Sequence, residues 1–139
     1  MAKLASLVLG AVFVLVGILG WIPNPIVGEE GMFVTNMLHD LVHLITGILF
    51  IVIGLVATNQ VPMVFKVFGV VYLLVAVLGF MQGDSILGLI TTNTADHYLH
   101  VVLGLVILGL GFMIKGDGNR AMGAPMATPP MNTGTPGTV

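Results

Sequence analysis

Cysteine is absent from this 139-residue chain, which excludes disulfides, thiolate metal sites and cysteine nucleophiles and leaves the redox compartment open. Charge is scarce as well: charged side chains make up 7% of the residues against 57% hydrophobic ones, and the mean hydropathy is +1.10. So little charge leaves no means of giving a soluble domain a polar exterior, and the chain is therefore expected in a lipid bilayer. Only four residues are Lys or Arg, too few for a basic patch that would neutralise phosphates, so nucleic acid is not an expected partner. Serine occurs twice, as Ser6 and Ser85, at places that the spans described next put on opposite sides of the membrane. No GxSxG, HExxH or phosphate-loop motif is present, so hydrolytic and phosphoryl-transfer chemistry have nothing to rest on and no catalytic residue is assigned.

Apolar runs are what the chain does have. Leu4 to Ile22, Leu41 to Ala57, Val64 to Met81 and Tyr98 to Ile114 are each almost free of charge, the second and fourth being entered through polar stretches from Asn36 and Asn93. About 20 residues at ~1.5 Å rise cross a ~30 Å hydrocarbon core, so each run with its flanks can span a bilayer. Uninterrupted apolar runs lack the alternation of a membrane β-barrel, which leaves helices as the way to satisfy the backbone in lipid. The reading is all-α, a four-transmembrane-helix bundle with helices at about 4–22, 37–57, 63–82 and 95–114. The first run opens like a signal peptide after Lys3, but it is too long and ends in Trp21-Ile22-Pro23 where a small-residue cleavage site would stand, so it is expected to be retained.

The halves of the chain resemble each other. At an offset of 59, Gly10, Phe13, Gly17, Leu19 and Gly20 fall on Gly69, Tyr72, Ala76, Leu78 and Gly79; at an offset of 57, Asn36, His43, Gly47 and Gly54 fall on Asn93, His100, Gly104 and Gly111. This predicts two tandem helical-hairpin repeats, 1–59 and 60–115, with the same membrane orientation and a pseudo-two-fold axis along the membrane normal. Lys3, Lys66, Lys115 and Arg120 all fall on one side of the predicted spans, while the two hairpin loops hold Glu29, Glu30 and Asp84. The positive-inside rule then places both termini in the cytoplasm. Residues 116–139, rich in Gly, Pro and Thr without hydrophobic period, read as a disordered cytoplasmic tail.

All four histidines and two acidic residues lie in the two matching stretches "TNMLHDLVHLITG" and "TNTADHYLHVVLG". On a helical wheel with Asn36 at zero, His39 falls near about 300°, Asp40 near 40°, His43 near 340°, Gly47 near 20° and Gly54 near 0°. In the second copy Asn93, Asp96, His97, His100, Gly104 and Gly111 share a face in the same way. Small residues mark close helix contact in membranes and polar residues face the bundle interior, so both cues select one face. Gly10 with Gly17, and Gly69 with Ala76, are seven apart and suit packing once every two turns.

The elements "NxxHDxVHxxxG" and "NxxDxxLHxxxG", the second preceded by "GVVYLLVAVLGF", make the chain similar to the bacterial membrane family catalogued as domain-of-unknown-function family 4383, over roughly residues 4 to 113. The resemblance implies this architecture, a bacterial cytoplasmic membrane, and Asn36, His39, His43, Gly47, Asn93, Asp96, His100 and Gly104 as its motif positions; it implies no activity, and His97 stands outside its pattern.

Three readings of the polar cluster compete. In the structural one, Thr35 or Asn36 and Thr92 or Asn93 cap helices 2 and 4, and the histidines hydrogen-bond across the pseudo-two-fold and hold the repeats together. This reading is preferred and makes the protein a structural or accessory membrane component, with lipid as its surroundings and a membrane-protein partner or a second copy as its company. The alternative is a cofactor: a transition metal on His39, His43, Asp96 and His100, which form two i,i+4 pairs, or a b-type haem between His43 and His100 with Gly47 and Gly104 leaving room for the macrocycle. A proton path is the third reading, and it finds no ionisable residue deeper in the spans to continue it.

Overall fold

The computed structural model describes residues 1–115; the tail expected at 116–139 lies outside the described residues. The described chain is helical apart from its connecting loops, one short β-hairpin and a single bridge between Val27 and Phe33. Helix α1 runs Ala2–Leu19 and α2 Met37–Val56; a single 3-10 turn, Thr58–Gln60, leads directly into α3, Val61–Gln82, and α4 runs Thr94–Met113. All four are long and apolar enough to cross a membrane, which makes this a multi-pass membrane protein. Pro62 in the first turn of α3 fits there because that turn has no use for its missing N–H.

Helix α1 starts earlier than expected and stops at Leu19 rather than at 22. The reason is Asn24, whose Nδ2 lies 2.9 Å from the Leu19 carbonyl, 2.7 Å from that of Ile22 and 2.8 Å from that of Val27, while its Oδ1 accepts from the Ile26 and Val27 amides. One side chain thus supplies the partners that another helical turn would have supplied, and the chain bends before Pro23. Between α3 and α4, β1 (Ser85–Ile86) pairs antiparallel with β2 (Ile90–Thr91). Leu87 and Gly88, both at positive φ (54° and 70°), are the central residues of a turn closed by the Leu89 N–H to the Ile86 carbonyl at 3.1 Å, within a three-residue connection, 87–89.

Helix α1 packs along α2 and α3 along α4. Glycine is what lets them close. A Cβ on Gly47 would stand 2.6 Å from Val14 N and one on Gly10 2.7 Å from Gly47 O; a Cβ on Gly69 would stand 2.6 Å from Leu108 N. Gly17, Gly54, Gly104 and Gly111 likewise abut the partner helix of their own hairpin. The two hairpins meet through large side chains instead. Phe13 of α1 sits edge-on to Tyr72 of α3 at 5.3 Å, and Phe50 of α2 packs on Phe65 and Phe68 of α3 at 5.1 and 5.2 Å. Phe50, Phe65 and Ile107 are at most 1% exposed, whereas residues such as Leu15, Ile45, Leu74 and Leu105 point outward. An exterior as apolar as the interior is what a lipid solvent requires.

Candidate functional site

At the end of the bundle that carries the two loops, Asn36 and Asn93 cap α2 and α4. Each Oδ1 accepts the backbone N–H three residues on, from His39 and from Asp96, at 3.0 Å, satisfying a first-turn donor that the helix leaves free. The same side chains also leave their own hairpins. Asn36 Nδ2 donates to the Leu89 carbonyl and Asn93 Nδ2 to the Met32 carbonyl, both at 2.9 Å.

Below the caps, the polar groups divide between two directions. Asp40 and His97 turn toward the other helix of their own hairpin. The Asp40 carboxylate fills the space that a side chain on Gly20 would need and faces Thr35. His97 does the same over Gly79, its Nε2 2.8 Å from Thr92 Oγ1. The single face expected from the wheel is therefore two adjacent ones: glycines with Asp40 or His97 against the hairpin partner, and the remaining histidines with Asp96 against the other hairpin. A spread of roughly 60° to 100° around a helix is wide enough to touch two neighbours.

Between the hairpins lie His39, His43, Asp96 and His100, none more than 5% exposed. His39 and His43 are 4.6 Å apart by ring centroid, His39 and His100 5.7 Å, and His43 stacks on His100 at 6.1 Å with 24° between planes. One nitrogen from each of the three rings lies within 4.8 Å of the others. Asp96 Oδ2 sits 3.3 Å from His100 Nδ1 and 3.9 Å from His39 Nε2.

Two backbone carbonyls orient this group. His39 Nδ1 is 2.9 Å from Thr91 O, and His100 Nδ1 is 2.8 Å from Asp96 O. A carbonyl only accepts, so both rings carry a proton on Nδ1. With the His100 N–H directed at the carbonyl, Asp96 Oδ2 makes no hydrogen bond, and His43 Nδ1 is buried without a partner too. Unpaired groups this deep are uncommon, because each forfeits its hydration. Tyr72 closes the floor: its ring stacks on His100 at 5.3 Å, and its buried hydroxyl faces Thr46. Beside the cluster a cavity of about 140 Å³ is walled by Val16, Leu19, Val27, Phe33, His43 and Asp96.

Set against the expectations, the geometry joins His39, His43, Asp96 and His100 in one group, leaves Asp40 and His97 outside it, and puts Asn36 and Asn93 above it. Where the haem reading would set a macrocycle, His43 and His100 stack on each other, Tyr72 covers His100, and Gly47 and Gly104 pack against Val14 and Leu73. Tyr72, Thr46 and the Thr91 carbonyl were not foreseen. A hydroxyl at the position matching Phe13 was the available signal for Tyr72; a carbonyl leaves none in a sequence.

A family model described as "Domain of unknown function (DUF4383)" matches residues 3–113, whereas no curated protein and no solved structure matches the chain. With four membrane-spanning helices and a match over most of its length, the chain belongs to the DUF4383 family.

Proposed function

We propose that this is a structural or accessory component of the bacterial cytoplasmic membrane, built from two repeated hairpins about a pseudo-two-fold axis along the membrane normal and locked at its outer end by the His/Asp/Asn cluster. The observation that carries this reading is the reciprocity of the two asparagines. Met32 and Leu89 are 57 apart, as are Asn36 and Asn93, so each half gives a carbonyl to the other's cap and takes one back. Exchange of this kind is what a two-fold relation produces: if i touches j of the other unit, j touches i. The ring pairs His43–His100 and Phe13–Tyr72 also join matching positions. Lys3, Lys66 and Lys115 at the end remote from the loops support, by the positive-inside rule, cytoplasmic positions for both termini. As an accessory component the protein acts through its exposed apolar faces, on another membrane protein or a second copy.

Asn36→Asp and Asn93→Asp test the lock, because aspartate still accepts the capping N–H but has no proton for the opposite carbonyl. Each is expected to lower stability in detergent by about 1 kcal/mol, at least half the loss from the corresponding Ala variant. Unchanged stability in both Asp variants would remove the lock. Since the chain has no cysteine, a single cysteine at Glu29 reports orientation: it should react with an impermeant maleimide from outside intact cells, and labelling only after the inner face is opened reverses the topology.

A further inference from the structure

We infer that His39, His43, His100 and Asp96 form a binding site for one borderline divalent metal ion, of the Zn²⁺ class, bridging the two hairpins. The inference builds on the lock described above and adds a ligand to it. Four lines of geometry converge. The donors come in pairs one helical turn apart, His39 with His43 on α2 and Asp96 with His100 on α4, so a bound ion would tie the hairpins together. Three imidazole nitrogens already lie within 4.8 Å of one another; ligands ~2.0–2.1 Å from a tetrahedral zinc are roughly 3.4 Å apart, so closure needs side-chain movements of about 1 Å.

The supporting contacts match those of metal-bound histidines. Such rings almost always give their second N–H to a carbonyl or carboxylate, which frees the other nitrogen's lone pair for the ion. Here Thr91 O and Asp96 O take the Nδ1 protons of His39 and His100, and Nε2 is left as the donor on both rings. Two atoms of the cluster, His43 Nδ1 and Asp96 Oδ2, have no hydrogen-bond partner; the carboxylate oxygen is a lone-pair donor, as Nδ1 is in the tautomer protonated at Nε2, and a cation would supply the partner both lack. Asp96 is 1% exposed, and Lys or Arg is absent from both loops and from the outer halves of the helices. Among the described residues no Lys or Arg forms an ion pair with that carboxylate.

The donor set also selects the metal. Three imidazoles and one carboxylate suit zinc, cobalt, nickel and copper(II); without thiolate or thioether the site does not favour copper(I), and with one oxygen in four it does not favour magnesium or calcium. The cavity of about 140 Å³ lined by Val27, Phe33, His43 and Asp96 adjoins the site.

The test uses the full chain carrying no polyhistidine tag, purified in mild detergent, stripped with chelator and titrated with ZnCl₂ and separately with CoCl₂. One equivalent of Zn²⁺ per chain should survive gel filtration and raise the thermal midpoint, as binding to the folded state alone must. Co²⁺ should give the visible absorption bands of a four-coordinate nitrogen and oxygen site. His43→Gln and Asp96→Asn should each weaken Zn²⁺ at least about tenfold, whereas His97→Gln, whose ring faces Thr92, should bind as the parent does. The cobalt spectrum of the unaltered chain needs no variant to fold. Wild-type protein that retains no Zn²⁺ and shows no cobalt bands, or equal affinity in His43→Gln and the parent, overturns the site. Loss of metal binding with the Asn36→Asp and Asn93→Asp penalties intact would sink the metal and leave the lock; metal binding without those penalties would do the reverse.

Discussion

The seam inside each hairpin and the seam between hairpins run along the same four helices but use opposite materials. Inside, backbone meets backbone over glycine, with Val14 N and Gly10 O at the limit of approach to Gly47. Between hairpins, aromatic rings and imidazoles hold the helices further apart, Phe13 on Tyr72 and His43 on His100. In lipid, where apolar burial drives little association, the first seam relies on contact area and the second on ring shape and polar pairing. A seam of glycines tolerates no added atom. A seam of rings leaves gaps, and the polar cluster and its cavity sit in one of them.

The sharpest way to break this contrast is to add one methyl to the tight seam. Gly47→Ala forces α1 away from α2 and should cost about 3 kcal/mol, measured by unfolding in detergent micelles. A loss under 1 kcal/mol would mean that the seam is not close-packed. Phe50→Ala removes a ring from the open seam. The same change in a soluble core costs about 3–5 kcal/mol, but much of that is transfer from water, which lipid does not charge, so about 2 kcal/mol is expected here. A full soluble-core penalty would show that the seam between hairpins is driven by more than packing. Smallest of all, Gly109→Ala places its methyl in open space and should stabilise by about 0.5–1 kcal/mol through helix propensity alone. Destabilisation there would reveal a contact, such as a second copy, that the single chain does not contain.

The four helices were legible because hydropathy over about 20 residues has few other solutions in a bilayer. Helix caps were legible to within one residue: Asn36 and Asn93 cap, while Thr35 and Thr92 turn to Asp40 and His97. The division of the polar face was not. A wheel gives the direction of each side chain from its axis but not the number of neighbours that face meets, and Asp40 and His43 differ by only about 60°. Which neighbour each would meet depended on how closely the glycines let α1 approach. Helix ends escaped for a similar reason, since α1 stops where Asn24 finds three carbonyls, a fit visible only in the folded loop.

His39 and Asp96 occupy matching places in the two proposed repeats, yet one is basic and the other acidic, and they face each other at 3.9 Å. Two copies of the first hairpin would bring His39 against His39, and two copies of the second would set carboxylate against carboxylate. The mixed assembly sets no two carboxylates together, whereas two copies of the second hairpin would be opposed by their repulsion in a low-dielectric interior. On the proposed repeat arrangement, a second hairpin is therefore better matched to a first hairpin than to another second hairpin.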